Sequence, residues 1–201
     1  FYINEDTNIP VTVNIPQMVN SITEDHENNI WVATPDNIYK LEYKNHFQNP
    51  VPVLSSLRVA GERIRNIRGI KADGKGNIWA GYRSGLIQIK KNSHAKYEIK
   101  TYNINLKNNQ INIINLYFEK ETNRLWACTR DFGLFMFELN DDSEIISQIR
   151  YFLSSNKNEQ LNSNHVWAVT QSNSGKLWIG TDAGLNSITH NNGKTEIENF
   201  N

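Results

Sequence analysis

The sequence predicts an all-β fold: a β-propeller segment of about four four-stranded antiparallel blades, forming part of a larger propeller. Three observations carry this. Tryptophan recurs at a nearly constant period, with Trp31, Trp79, Trp126 and Trp178 lying 48, 47 and 52 residues apart (79 − 31, 126 − 79 and 178 − 126). Around each of them the same order of residue types repeats. No stretch sustains a 3.6-residue apolar period, because Asn and Gly interrupt every candidate helix, while short β-rich runs between turn residues recur throughout.

Aligned on the tryptophans, the units are VNSITEDHENNIWVATPDNIYKL (19–41), IRGIKADGKGNIWAGYRSGLIQI (67–89), INLYFEKETNRLWACTRDFGLFMF (114–137) and WAVTQSNSGKLWIGTDAGLNSI (167–188). Nine residues before the Trp stands Ile22, Ile70, Tyr117 or Val169, and directly before it Ile30, Ile78, Leu125 or Leu177. Two residues after it stands Ala33, Gly81, Cys128 or Gly180, and beyond a turn Ile38, Leu86, Leu134 or Leu185. The third unit has one extra residue in that turn, TRDFGL against TDAGL.

Within the first unit, NSITED alternates and ends in a polar turn, IWVAT is a short β-rich run, and NIYKLEY alternates again. A fourth run completes each unit: VPVLSSLRV, KYEIKTYNI, IISQIRYFL and TEIENF. Four short strands per ~45 residues make a propeller blade. Residues two apart in a strand share a face, so each Trp sits beside the small residue at +2. That step between a large ring and a small residue is where a neighbouring blade is expected to pack. The Gly of RSGL and DAGL suits a turn that needs positive φ, and Asn37 takes its place in the first unit. The hairpins DGKGN (73–77) and SNSGK (172–176) precede the Trp strand.

The expected blades are 11–60, 61–105, 106–155 and 156–201, with 1–10 as an outer-strand end and linker from a preceding blade. Phe1-Tyr2-Ile3 reads as the end of such an outer strand, matching Tyr102, Phe152 and Phe200. TEIENF already fills the outer position of the last unit, so a closed four-blade ring has two candidates for one place. The expected partners are therefore the remaining blades of the same propeller or another copy, as in a homodimer.

The 201 residues carry 21 Lys+Arg against 21 Asp+Glu, a balance that favours neither nucleic acid nor an anionic membrane as partner. No run of ~18 apolar residues occurs, so no membrane contact is expected from this chain. FYINEDTNIP does not have the make-up of a signal peptide. The single cysteine, Cys128, excludes an internal disulfide, and its place at Trp+2 reads as a small buried hydrophobe.

No metal and no cofactor are expected. His26, His46, His94, His165 and His190 are scattered, without a His-x-x-x-His or His-x-His pair. DGKGN lacks the alternating ligands and terminal Glu of a calcium loop. The pairs Glu24-Asp25 and Asp141-Asp142 read as solvated turn residues. Neither a Gly-x-Ser-x-Gly elbow nor a P-loop is present, and no catalytic residue is expected.

LNSNHVWAVTQSNSGKLWIGTDAGLNSIT (161–189) resembles the two-component regulator propeller repeat. That repeat has a Leu-Pro-x-Asn-x-Val start, an acidic-to-glycine turn, a Leu/Ile-Trp-Ile-Gly-Thr strand and a Gly-Leu strand. IPQMVNSITEDHENNIWVAT (15–34) is a second copy, and the units at 67–89 and 114–137 are weaker but in register. The resemblance implies the periplasmic sensor region of a hybrid two-component histidine kinase/response regulator of Bacteroidetes type. Such a region lies outside the inner membrane and commonly responds to glycan fragments, with kinase and regulator modules elsewhere. The chain itself shows no kinase motif and no Tyr-rich domain after the propeller. The expected function is ligand sensing without enzymatic activity. The alternatives are a protein-interaction scaffold and a propeller lyase resembling streptogramin lyase, which needs a catalytic His with a metal nearby.

In propellers the loop between second and third strands and the loop leading into a blade share one end. Here that end is expected to display Asp36, Tyr82, Arg83, Arg130, Asp131 and Asp182, with Arg65, Asn109 and His165. Arg83 and Arg130, at equivalent points, are candidates to hold sulfate or carboxylate groups of an acidic oligosaccharide. Trp167 stands outside the Trp register, on the innermost strand, where its ring could stack on a sugar. The candidate ligand-binding set is Tyr82, Arg83, Arg130, Asp131, Asp182, His165 and Trp167.

Overall fold

Four antiparallel meanders carry the repeat. The computed structural model describes residues 2–4, 9–11, 13–42, 51–52, 58–59, 62–94, 96–106, 109–152, 160–191 and 194–200, with no helix among them. Blade I comprises Ser21–Glu24, Ile30–Ala33, Ile38–Leu41 and Val51–Pro52. Blade II comprises Ile70–Ala72, Ile78–Tyr82, Gly85–Lys91 and Tyr97–Asn103. Blade III comprises Ile113–Glu119, Arg124–Thr129, Leu134–Leu139 and Ile145–Tyr151. Blade IV comprises Val166–Gln171, Leu177–Thr181, Gly184–Asn191 and Lys194–Phe200. In each, the strands pair in chain order.

The blades stack in one sense throughout. The Trp31 face of blade I packs with Ile70, Ile78, Ala80, Ile87 and Ile89 of blade II. Trp79 and Leu86 of blade II pack with Ile111, Ile113, Leu125, Phe135 and Phe137. Trp126, Cys128, Leu134 and Met136 of blade III pack with Val166, Val169, Leu177, Ile179 and Ile188 of blade IV. Thus the Trp face of each blade meets the opposite face of the next. Both faces of blades II and III are covered, and this is why their second strands are buried at nearly every position. On blade IV the Trp face is open: Trp178 is half-buried, while Leu185 and Phe200 are exposed where Leu86 and Leu134 are not.

Glycine at Trp+2 makes this stacking close. A Cβ on Gly81 would lie 2.4 Å from Ile113 Cγ2 of the next blade, whereas a Cβ on Gly180 meets nothing within 4 Å. Gly81→Ala is therefore expected to destabilise the chain by about 1–3 kcal/mol through overpacking. Gly180→Ala is expected to be neutral within about 0.5 kcal/mol. Urea unfolding of the pair checks this, and equal effects would contradict the assigned interface.

Each of the first three tryptophans is also tied down by a buried carboxylate from the preceding hairpin. Trp31 Nε1 donates to Asp25 at 2.7 Å, Trp79 Nε1 to Asp73 at 3.2 Å and Trp126 Nε1 to Glu119 at 2.9 Å. The Asp carboxylates also accept the backbone N–H two and four residues on, so one side chain closes the hairpin and anchors the ring. Asp25 and Asp73 are buried, which corrects the reading of Asp25 as a solvated turn residue. In blade IV, Ser172 stands at that place and bonds Ser174 and the Lys176 carbonyl instead.

Two local expectations are corrected. Among the described residues of VPVLSSLRV, Val51–Pro52 pairs with the third strand of blade I and Arg58–Val59 with Glu62–Arg63; residues 53–57 lie outside the described residues. Tyr2–Asn4 pairs with Ile9–Val11, so within this chain it forms a hairpin arm instead of joining a described blade; Phe1 lies outside the described residues. Asn105–Leu106 and Asn109–Gln110 make a third such pair. A two-stranded hairpin thus precedes each of blades I, II and III, a device too short to leave a periodic signal.

Candidate functional site

The hairpin between second and third strands of each blade is tied to the loop that leads into that blade. Arg130 N–H donates to the Asn112 carbonyl and Asp182 N–H to the His165 carbonyl, each at 3.2 Å, and Arg68 N–H to the Gly81 carbonyl at 3.0 Å. These bonds bring the two loop sets to one end of the blades.

Three of the candidate residues meet on blade IV. A register shift between Val166 and Ala168 marks a bulge at Trp167, which re-aims that side chain. Trp167 Nε1 donates to Asp182 Oδ1 at 2.5 Å, and His165 Nδ1 lies 2.9 Å from Asp182 Oδ2. The His165 and Trp167 rings stack with centroids 4.3 Å apart. The Trp167 carbonyl accepts from Asn115 Nδ2 of blade III at 3.1 Å. The hairpin bearing Asp182 is pinned in turn: Thr181 Oγ1 donates to Asn162 Oδ1, and Asn162 Nδ2 to the Ala183 carbonyl, both at 2.6 Å.

The outcome is an indole that is 53% exposed yet held at its N–H by a carboxylate and on one side by imidazole. Exposed aromatic rings normally sample rotamers; this one is fixed before any ligand arrives. Such a plane can receive the apolar face of a sugar ring, with the half-exposed Asp182 carboxylate beside it to accept a hydroxyl.

A second group sits between blades II and III. Arg83 and Arg130 line a cleft of about 410 Å³, joined there by Arg68. Arg68 was not among the expected site residues. It stands eleven residues before Trp79, just as Trp167 stands eleven before Trp178, so the register that singled out Trp167 could have found it. Asp131 is exposed beside Arg130, with no ion pair to it among the described residues. Tyr82 is a correction. It is buried in the core between blades I and II, its hydroxyl donates to Asn103 Oδ1 at 2.9 Å, and burial raises its pKa. It points the opposite way from Arg83 because adjacent residues at a strand end alternate.

Cys128 is fully buried, and burial pushes its thiol pKa up, away from nucleophile chemistry. Among the described residues no group of three His, Cys, Asp or Glu side chains could hold a metal ion, and no helix is long and apolar enough to cross a membrane.

Fold and repeat together define a β-propeller assembled from Trp-anchored four-stranded blades. Residues 15–36 and 160–183 match the family model for the two component regulator propeller, in the first and last of the four units. Among solved structures, it is similar to an extracellular domain assigned to the hybrid two component system BT3049 of B. thetaiotaomicron. Identity there is 21%, 86% of this chain and 21% of that chain are covered, and the TM-score is 0.60. A second extracellular domain from that organism, of BT4673, matches at 14% identity and TM-score 0.51 over 92% of this chain and 28% of that one. The virginiamycin B lyase of Staphylococcus aureus matches at 16% identity and TM-score 0.64 over 98% of this chain and 61% of that one. At these identities the likeness is one of fold. The chain spans less than a third of the length of the two extracellular domains. A comparison with curated protein sequences gives no match.

Proposed function

We propose that this chain is an extracytoplasmic ligand-sensing propeller segment of a hybrid two-component sensor, responsive to glycan fragments and without enzymatic activity of its own. The repeat family supports the sensor class, and the structural likeness to extracellular domains supports a periplasmic sensor region. One observation carries the ligand reading: the exposed, pre-oriented Trp167 ring held by Asp182 and His165 at the loop end. Trp167 also bonds Asn115 of blade III through its carbonyl, so a ligand seated on the ring touches a blade interface. A shift in blade packing is the signal such a site can send, its size bounded by the ligand's differential affinity for the two arrangements.

The test is a titration of the chain with a panel of neutral and acidic oligosaccharides, followed by tryptophan fluorescence. Binding in the micromolar to millimolar range is expected for at least one member, and Trp167→Ala is expected to weaken it about tenfold or more. No response to any sugar, or a response unchanged in the variant, would overturn the reading.

A further inference from the structure

Several charges elsewhere on this molecule are paired. Lys75 pairs with Asp141, Lys91 with Glu27, Arg124 with Glu138, and Lys176 with Glu198. The net charge of the chain is zero. The cleft between blades II and III gathers one sign of charge. Arg68, Arg83 and Arg130 all line it, all are exposed, and none has an ion-pair partner among the described residues. The remainder of its lining is amide: Asn66, Asn109, Gln110 and Asn112, with no carboxylate. Three like charges facing one space repel one another.

The cleft is built on rigid ground. Gly69 and Gly81 bring blades II and III together beside it, with positions for a Cβ only 2.7 Å from Asn115 Cα and 2.4 Å from Ile113 Cγ2. Backbone bonds fix the stems, Arg68 N–H to the Gly81 carbonyl and Arg130 N–H to the Asn112 carbonyl. Asn66, where the loop turns into the cleft, holds φ at 58°, a left-handed conformation. A second observation is independent of charge. The side-chain carbonyl oxygen of Asn112 is buried in this wall without a hydrogen-bond donor among the described residues.

We infer that this cleft is a binding site for a hydroxylated oxyanion, namely a carboxylate- or sulfate-bearing sugar unit. Guanidinium forks match the two-oxygen edge of either group, and three of them around one cleft give orientation as well as charge. The inference deepens the glycan reading above by naming the class of glycan as acidic. It also uses a site on different blades from Trp167.

The test is calorimetric titration of the chain at low ionic strength with four probes: digalacturonic acid, a monosulfated disaccharide, an uncharged disaccharide and sodium sulfate. Either acidic sugar is expected to bind at least about tenfold more tightly than the uncharged one, and the tighter of the two identifies the anionic group. Arg83→Ala, Arg130→Ala and Arg68→Ala are each expected to remove about tenfold, and Arg124→Ala, whose guanidinium is paired with Glu138 elsewhere, nothing. Equal binding of acidic and uncharged sugars overturns the inference. So does acidic-sugar binding that survives the double variant R83A/R130A, or sodium sulfate binding as tightly as the sugars. An uncharged sugar bound in a Trp167-dependent way with no preference for charge sinks this site and leaves the glycan reading standing. Silence towards every sugar sinks both.

Discussion

Asp25→Ala is expected to destabilise the chain by about 3 kcal/mol. The Asp25 carboxylate accepts from the Trp31 indole, the Asn29 amide and the backbone N–H groups of Glu27 and Asn29, all between 2.7 and 3.2 Å. Alanine takes the acceptor from the buried Trp31 indole and removes the bonds to Asn29 and Glu27, and each lost bond to a buried donor costs about 1–3 kcal/mol less any relief from water. Ser172→Ala, at the same point of blade IV, is expected to cost under about 1 kcal/mol, because no buried indole depends on it. Urea midpoints of the two variants check the contrast.

A pH signature accompanies it. Burial alone pushes the Asp25 pKa up, but the bonds from Trp31, Asn29 and Glu27 outweigh this and hold it below the ordinary 3.8. A carboxylate with a depressed folded pKa adds stability that is fully present above its unfolded value and is lost as pH falls through the folded one. The wild-type chain should therefore lose stability on acidification below about pH 4. Asp25→Ala should show a shallower loss over that range, and identical slopes would refute the assignment.

Trp126→Ala is expected to cost about 4 kcal/mol, the largest single effect among the four repeat tryptophans. The ring is fully buried, stacks on Tyr151 at 5.7 Å, and bonds Glu119, which Gln171 of blade IV also holds at 2.9 Å. Its removal opens a cavity between two blades and weakens a cross-blade bond network. Trp178→Ala takes away an indole whose ring meets Phe200 at 5.4 Å and the Lys176 ammonium at 5.3 Å, both of its own blade, on an open face. It is expected to cost about 1 kcal/mol. If the two proved equal, the directional stacking of blades would be wrong.

Much of this was legible in the sequence because it is periodic. The Trp register, the small residue at +2 and the turn glycines are set by local strand geometry, which repeats identically in every unit. The candidate site residues do not share one residue type across the units. Trp167 and Arg68 occupy one register position, with Asn20 there in the first unit, so the site rests on differences between copies. His165 and Asp182 lie seventeen residues apart in the chain, and the pairing of Val166 with Thr181 beside them brings their loops together. Tyr82 was misplaced for a similar reason. One residue of alternation separates a core phenol from an exposed guanidinium, and the strand's end is not visible from composition.

The sequence by itself determined the repeat unit, the blade as a four-stranded meander and the match of its first and last units to the two component regulator propeller. These depend on interactions within about 25 residues, where period and turn chemistry speak directly. The tertiary structure decided which face of each blade meets its neighbour, and that buried carboxylates anchor three of the four tryptophans. It also decided that three arginines from two blades share one cleft. Those outcomes rest on side chains brought close from distant points of the chain by blade stacking, and no local pattern encodes a distance across an interface.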